Sequence, residues 1–240
     1  MARPGGVDAQ CTSVLSGEAF SRVGTFFVRG LYAVTPDEGD TEILVRKVAQ
    51  AVRGGARLVQ YRNKAAAPAI RGEQGAELLR LCRTARVPLI INDDLELSLE
   101  LDADGVHLGR GDGDTTFARR ALGVGKLLGV SCYDSLSLGA TAQERGADYV
   151  AFGAAYETPT KPGAARAALS LYRQAKSRLR VPIVAIGGIT PDNAREVFAA
   201  GADSVAVISA LFDAPDIERC AREFTDVFRR EPAPAPAGVR

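Results

Sequence analysis

The sequence has few of the residues from which metal centres and nucleophilic sites are most often built. It contains one histidine, His107, which excludes metal sites with several histidines and leaves little scope for a Ser-His-Asp triad. The four cysteines, Cys11, Cys82, Cys132 and Cys220, form no CxxC pair and have no metal-ligand spacing. We therefore expect reduced thiols, as in a cytosolic protein.

Long apolar runs and an excess of one charge are also missing. No apolar segment approaches the roughly 18 residues of a membrane span, and the N-terminus has no basic region followed by an apolar stretch. The 30 basic and 29 acidic residues nearly cancel, so nucleic acid and anionic membranes are not expected as partners. Hydrophobic residues make up 46% of the chain, so we expect a soluble cytoplasmic protein. Whether it forms a homo-oligomer is left open.

Strand-like and helix-like segments alternate through most of the chain. Strands are predicted at residues 31–36, 58–62, 89–92, 105–108, 127–132, 149–153, 182–187 and 204–209. Helices are predicted at residues 41–53, 68–85, 95–102, 115–122, 135–145, 167–178, 191–200 and 215–229. Eight units of about 25 residues favour an α/β protein with a (β/α)₈ TIM barrel. A doubly wound sheet usually has five or six strands and often a GxGxxG turn after the first, where this chain has Thr35-Pro36-Asp37.

The repetition of short turns supports the barrel and its boundaries. Similar turns at residues 55–57, 103–105, 146–148 and 201–203 precede the even-numbered strands, as expected where a helix ends in a left-handed residue. A two-unit repeat that occurs four times closes naturally into eight strands. We therefore predict an N-terminal extension at residues 1–29, a catalytic barrel at residues 30–230 and a disordered Pro/Ala tail at residues 231–240.

Two carboxylates follow neighbouring strands of this barrel. Asp93 follows the third strand and Asp112 ends the Gly-rich loop after the fourth. Parallel neighbours lie roughly 4.8 Å apart and end on the same side of the sheet, so the two acids can converge. Such a pair suits Mg²⁺, which is commonly held by one or two carboxylates together with substrate oxygens. The alternative is that these acids only cap the following helices.

Other strand ends supply cations and small polar groups. Gln60, Arg62 and Lys64 alternate and face one way. Two cations there repel one another unless an anion such as a diphosphate lies between them, the alternative being a solvated charged edge. After the sixth strand, Lys161 adds a third cation in a loop that is otherwise compatible with a plain connector. Ser131 ends the fifth strand as a small polar residue.

The last two strands carry the features of a phosphate site. Gly187-Gly188 allows a ligand to approach the backbone after the seventh strand, and Ile208-Ser209 offers main-chain N–H groups and a hydroxyl after the eighth. Loops at these places form the usual phosphate site of such barrels. We therefore predict two anion sites on one rim, one for a diphosphate and one for a monophosphate.

Seven motifs in this order resemble the thiamine phosphate synthase family. They are Gln60-x-Arg62-x-Lys64, Ile91-Asn92-Asp93, residues 104–109, Gly129-Val130-Ser131, residues 158–162, residues 185–189 and Val207-Ile208-Ser209. The resemblance implies a Mg²⁺-dependent (β/α)₈ enzyme that joins a hydroxymethylpyrimidine diphosphate to a thiazole phosphate, giving thiamine phosphate and pyrophosphate.

The resemblance also implies a role for each matching residue. The pyrimidine diphosphate is assigned to Gln60, Arg62, Lys64, Asn92, Ser131 and Lys161, of which Arg62, Lys64, Ser131 and Lys161 are the expected catalytic residues. Mg²⁺ is assigned to Asp93 and Asp112. The thiazole phosphate is assigned to Thr158, Thr160, Gly188, Ile208 and Ser209.

The chain departs from the family pattern at three positions. Arg110 stands where glutamine is common, Asp94 where arginine is common and Asn63 where glutamate is frequent. Arg110 and Asp94 could change the loop geometry or pair with each other. His107 lies within a strand, where a packing residue is more common than a catalyst. Two alternatives stay open: a thiazole tautomerase-like or regulatory barrel without a cationic diphosphate site, and a non-catalytic protein that binds a phosphate ligand.

Overall fold

The computed structural model describes residues 28–158 and 166–230, and eight parallel strands close into a barrel in chain order. The strands are β1 Gly30–Val34, β2 Leu58–Tyr61, β3 Leu89–Asn92, β4 Gly105–Leu108, β5 Leu127–Tyr133, β6 Tyr149–Gly153, β7 Ile183–Ile186 and β8 Ser204–Val207. The helices among the described residues are α1 Thr41–Arg53, α2 Pro68–Ala85, α3 Leu95–Glu100, α4 Thr115–Leu122, α5 Leu136–Glu144, α6 Leu169–Arg178, α7 Pro191–Ala199, α8 Ser209–Phe212 and α9 Ile217–Arg230. The predicted TIM barrel is confirmed.

Local sequence determines where several helices begin. The carboxylate of Asp40 accepts from the backbone N–H of Ile43 at 2.9 Å, and Asp114 does the same for Phe117 at 2.9 Å. Each bond satisfies one of the N–H groups that the first helical turn leaves without a partner. Because these signals are encoded within four residues, α1 and α4 begin where the sequence predicts.

The predicted turns before the even-numbered strands use left-handed residues. Gly55, Gly146 and Gly201 have φ values of 107°, 91° and 107°, and Asp102 takes the equivalent place before β4 with a φ of 54°. Glycine adopts this conformation without a Cβ penalty. These turns lie at the N-terminal side of the barrel and leave the opposite rim to the loops that follow the strands.

Alternation along the strands creates an inner and an outer core. The inner core contains Tyr32, Leu58, Ile90, Tyr149 and Val184, whereas a larger cluster fills the space between the sheet and the helices. On β2 and β4, buried polar side chains replace this apolar packing toward the C-terminal end of the strand. This change places hydrogen-bonding side chains beneath one rim of the barrel.

Some predicted features differ from the structure or lie outside the described residues. Helix α8 was not predicted, because residues 208–212 continue the apolar pattern of β8 without a capping side chain. Residues 1–27 and 231–240 lie outside the described residues, so the predicted extension and tail stay predictions. Val28 is buried in the inner core, and Arg29 lies 3.9 Å from Asp203. None of the helices in the described part of the chain is long and apolar enough to span a membrane.

Candidate active site

The two cations that follow β2 are each paired with a carboxylate. The guanidinium of Arg62 lies 3.3 Å from both carboxylate oxygens of Asp37. Asp37 also accepts from the backbone N–H of Lys64 at 2.6 Å, and the Lys64 ammonium lies 3.0 Å from Oδ2 of Asp93. The protein itself therefore supplies the anions that neutralise this face. Sequence reasoning misses Asp37, since no local pattern links the end of β1 to the end of β2.

The carboxyl groups of Asp93 and Asp112 meet at the ends of β3 and β4. Burial raises the pKa of Asp112, and a side-chain hydrogen bond with Asp93 raises it further. Asp112 also accepts from the backbone N–H of Gly109 at 2.8 Å. Asp93 has a left-handed backbone, with φ of 62°, and its N–H donates to the carbonyl of His107 at 2.8 Å. The two acids are thus arranged to share a proton.

This pair is the part of the rim that could hold a divalent cation. Its carboxylate oxygens are hard donors of the kind that Mg²⁺ prefers, and they lie close enough together to contact one cation. Within residues 28–158 and 166–230, no group of three or more His, Cys, Asp or Glu side chains is placed to hold a metal ion. The remaining ligands would therefore come from water and substrate, as is usual for Mg²⁺.

The loop that carries Asp112 is held by the end of β5. The backbone N–H of Arg110 donates to the hydroxyl of Tyr133 at 2.9 Å, and its guanidinium lies 4.8 Å from the centre of that ring. Asp94 instead caps α3 through the N–H of Leu97 at 2.9 Å and lies 3.3 Å from Arg71. Arg110 and Asp94 thus have separate partners in the structure. Arg110 belongs to the metal-site loop, whereas Asp94 supports α3.

A polar cavity lies between the ends of β2 and β3. Its volume is about 260 Å³, and its lining includes Lys64, Asn92, Asp93 and Arg71. Asn63 also lines it, but its amide donates to the carbonyl of Glu38 at 2.7 Å and to Gln74 at 3.0 Å. Asn63 therefore braces the wall of the cavity through buried bonds. Asn92 and the ion pair of Lys64 with Asp93 remain the groups that face a ligand.

A chain of side-chain hydrogen bonds crosses the inside of the barrel beneath this rim. Gln60 Nε2 lies 2.7 Å from Tyr32 Oη, which lies 2.8 Å from Tyr149 Oη. Tyr149 Oη lies 3.1 Å from His107 Nδ1, and His107 Nε2 lies 2.8 Å from Ser131 Oγ. Burial lowers the pKa of His107 to about 4, although Asp93 opposes the shift, so the imidazole is neutral at pH 7. The histidine is a buried residue, as predicted, but it also joins two predicted site residues.

The predicted monophosphate residues lie on the other side of the rim. Gly188 has φ of 65°, and a Cβ there would overlap the carbonyl of Glu157 and the side chain of Tyr156. Glycine is therefore needed for the loop after β6 to pack against the end of β7, which is a different reason from ligand approach. Thr158 follows that loop segment, whereas Thr160 and Lys161 lie outside the described residues.

The end of β8 completes this side of the rim. Ile208 follows β8, and its carbonyl accepts from the backbone N–H of Phe212 at 2.9 Å, so the chain enters α8 at Ser209. Because β8 is the neighbour of β7 in the closed barrel, Ile208 and Ser209 lie on the same side as Gly188. The acids and cations that follow β2, β3 and β4 lie on the other side.

Most of the chain is similar in sequence to known proteins that share one activity. Residues 31–211 match the family described as thiamine monophosphate synthase. The thiamine-phosphate synthase of Thiobacillus denitrificans is 52% identical over 206 residues, which are 86% of this chain and 98% of that protein. That of Methylobacillus flagellatus is 53% identical over 84% of this chain and 96% of its own length. The structure of thiamine phosphate pyrophosphorylase from Pyrococcus furiosus has a TM-score of 0.77 and 32% identity, covering 86% of this chain and 98% of that one.

Proposed function

This chain belongs to the thiamine monophosphate synthase family and is a transferase. We propose that it joins a pyrimidine diphosphate to a thiazole phosphate, and we propose how its site performs this reaction. The substrates are 4-amino-2-methyl-5-(diphosphooxymethyl)pyrimidine and 4-methyl-5-(2-phosphooxyethyl)thiazole, and the products are thiamine phosphate and pyrophosphate. One observation carries this proposal: Lys64 contacts Asp93, which shares a hydrogen bond with Asp112. A cation and two acids in contact are the groups that a diphosphate and its counter-ion need.

The diphosphate binds to Arg62 and Lys64 by taking the place of the carboxylates that now pair with them. Arg62 is bonded to Asp37, and Lys64 to Asp93, at a rim where the Lys64 side chain is 60% exposed. Exposed ion pairs contribute little stability, typically below about 1 kcal/mol, so a diphosphate can replace Asp93 at Lys64 at small cost, whereas the Arg62 side chain is 20% exposed and its pair with Asp37 is the firmer one. Lys161 of the loop after β6 adds a third positive charge in this proposal, and Ser131 and Asn92 donate hydrogen bonds.

Asp93 and Asp112 hold Mg²⁺ in this proposal. Both carboxyl groups would have to be deprotonated to serve as ligands, so binding of the cation would oppose the raised pKa of Asp112. Bound Mg²⁺ would neutralise part of the charge that develops on the departing pyrophosphate. The cations of the rim have the same effect through fixed positions, and such preorganised charge is usually a large part of catalysis.

The reaction is a dissociative substitution at the methylene carbon of the pyrimidine. The C–O bond to the diphosphate breaks, and its electron pair leaves with pyrophosphate. The amino group of the pyrimidine delocalises the positive charge that is left on the methylene carbon. The thiazole nitrogen then donates its lone pair to that carbon and forms the new C–N bond. No protein base is required, which agrees with a site whose one histidine is buried and hydrogen-bonded on both ring nitrogens.

The thiazole phosphate binds on the opposite side of the rim. Main-chain N–H groups at Gly188, Ile208 and Ser209 receive the phosphate, and the hydroxyls of Thr158 and Thr160 add donors. The donors assigned to this side are uncharged, so they suit a monophosphate better than a diphosphate with its metal. The two substrates therefore face one another across the mouth of the barrel.

A pyrophosphate-release assay with both substrates, with and without Mg²⁺, tests this function. We expect release only when both substrates and Mg²⁺ are present. Release that does not need Mg²⁺ would remove the metal from the mechanism, and no release under any condition would favour a tautomerase-like or a binding barrel. Asp93→Asn should remove turnover while Glu100→Gln, which changes an exposed carboxylate at the end of α3, should not.

A further inference from the structure

We infer that Tyr32, Tyr149 and His107 are positioning residues that fix the hydrogen-bonding polarity of Gln60 and Ser131, and so make the site select an aminopyrimidine over an oxopyrimidine. The inference rests on the proposed function, because it assumes that Gln60 and Ser131 contact the pyrimidine diphosphate. It concerns three buried residues to which neither the sequence patterns nor the resemblance assigns a role at the site.

The five side chains form one continuous relay from β2 to β5. Its four links have donor–acceptor distances between 2.7 and 3.1 Å. Tyr32 is 1% exposed and Tyr149 0%, so water does not compete for their hydroxyl groups. A polar group that loses its partner at this depth stays desolvated without compensation, which is costly. The relay therefore behaves as a unit, in which the state of one link constrains the next.

A glycine on the intervening strand makes the central link possible. Gly129 on β5 lies between His107 on β4 and Tyr149 on β6 in the strand register. A Cβ at Gly129 would overlap the ring and hydroxyl of Tyr149 and would lie 2.5 Å from His107 Nδ1. Its backbone does not have a positive φ, so space, and not conformation, requires glycine. With the gap open, the two rings stack at 5.6 Å between centroids.

The direction of the hydrogen bonds follows from the amide of Gln60. Its Nε2 donates to Tyr32, so the Tyr32 hydroxyl must donate onward to Tyr149. Tyr149 then donates to Nδ1 of His107, which leaves the histidine proton on Nε2, where it is donated to Ser131. With the Gln60 amide in this orientation, any other arrangement leaves a buried hydroxyl proton without an acceptor or places two protons or two lone pairs against each other.

This direction determines what a ligand meets at both ends of the relay. Gln60 keeps Oε1 as an acceptor and the second hydrogen of Nε2 as a donor, and Ser131 keeps its own hydroxyl proton as a donor. An aminopyrimidine offers an N–H from its amino group, which Gln60 Oε1 can accept. An oxopyrimidine offers a carbonyl oxygen instead and would face another acceptor. A site with fixed polarity rejects such a mismatch much more strongly than a site of the right shape alone.

Removing one hydroxyl should release the amide. In Tyr149→Phe, Tyr32 loses its acceptor and is free to donate to Gln60 Oε1 after the amide rotates by 180°. Gln60 would then present its NH₂ group to the ligand, which suits the oxo compound. Tyr172→Phe is the matched control, because it removes an equally buried hydroxyl that donates to the carbonyl of Phe152 at 3.0 Å outside the relay.

Calorimetric binding of the 4-amino and 4-oxo pyrimidine methyl diphosphates, without thiazole phosphate, measures this selectivity. In Tyr149→Phe we expect the ratio of the two Kd values, oxo over amino, to fall about tenfold or more, and in Tyr172→Phe to change less than twofold. An unchanged ratio in Tyr149→Phe, with the amino compound still bound, overturns the relay alone. If the wild-type protein binds neither compound, the proposed function fails and the inference with it.

The single histidine allows a second test, whose main measurement is made on the wild-type protein. The chain has one histidine, so ¹⁵N-histidine labelling gives one imidazole signal set that belongs to His107. We expect the neutral tautomer with the proton on Nε2 and a bare Nδ1 in the wild-type protein. A proton on Nδ1, or on both nitrogens at pH 7, would contradict the direction of the relay. In Tyr149→Phe the preference for the Nε2 tautomer should weaken.

Discussion

Gly188→Ala should destabilise the barrel and should also weaken the binding of one substrate, because two loops meet at this glycine. A non-glycine residue in the left-handed region, here φ of 65°, costs roughly 1–2 kcal/mol. The added Cβ would also overlap backbone and side-chain atoms of Tyr156 and Glu157, and overpacking of this kind costs about 1–3 kcal/mol. We therefore expect a loss of about 2–5 kcal/mol in the free energy of unfolding.

Urea unfolding measures this loss, and Gly72→Ala provides the control. Gly72 lies inside α2 and a Cβ there would meet no atom within 4 Å, so alanine should stabilise the protein by about 0.5–1 kcal/mol. The midpoint of Gly188→Ala should fall by roughly 1 M or more. Unfolding within about 1 kcal/mol of wild type would refute the packing argument.

The same variant should separate the two substrates kinetically. Displacement of residues 156–158 moves Thr158, which is proposed to contact the thiazole phosphate, whereas the cations after β2 are on the other side of the barrel. We expect KM for the thiazole phosphate to rise several-fold and KM for the pyrimidine diphosphate to rise less, since only Lys161 of its proposed ligands belongs to the loop after β6. Equal changes in both KM values would mean that the variant acts through general destabilisation.

Three further predictions concern Asp112, Gly129 and Tyr133. In the metal-free protein the raised pKa of Asp112 means that the folded state binds the proton more tightly than the unfolded state, so stability should fall as pH rises from about 4 through the raised pKa. Chemical unfolding across this range should show the loss, and Asp112→Asn or saturating Mg²⁺ should remove it. Gly129→Ala should lower Tm by several degrees through overlap with Tyr149 and His107; an unchanged Tm would show that the strand yields without cost. Tyr133→Phe removes the acceptor of the Arg110 N–H, so titration calorimetry should show weaker Mg²⁺ binding by the Asp112 loop, with an unchanged affinity counting against that support.

The parts of the fold that sequence predicts well are those encoded locally. Helices α1, α2 and α4 have the predicted bounds, because Asp40, Pro68 and Asp114 are strong start signals within one turn. The closed barrel follows from counting such units and from the right-handed connection of parallel strands. Helix α8 has no such signal, and its first residue, Ser209, was predicted as the end of β8. Only the position of residues 208–212 after the last strand reveals it.

The candidate site shows the same division between local and long-range information. The approach of Asp93 to Asp112 could be predicted, because neighbouring parallel strands end at one rim. The inference that two cations require a bound anion was incomplete, since Asp37 arrives from another strand and neutralises Arg62. Tyr32 and Tyr149 are separated by 117 positions in the sequence, and in a single sequence each resembles an ordinary buried aromatic residue.

The two kinds of interaction at the rim also divide the work of binding and selection. The ion pairs of Arg62 and Lys64 lie at the exposed mouth, where salt and ligands can replace them, so they attract any diphosphate with its metal. The link of Gln60 to Tyr32 is buried and that of Ser131 to His107 is partly buried, and a mismatched donor or acceptor is costly where water is excluded. Raising the ionic strength should therefore weaken the binding of the pyrimidine diphosphate and of inorganic pyrophosphate alike. The ratio of the Kd values for the oxo and amino compounds should stay constant. A selectivity that fell with salt would place the choice of substrate at the charged mouth and not in the relay.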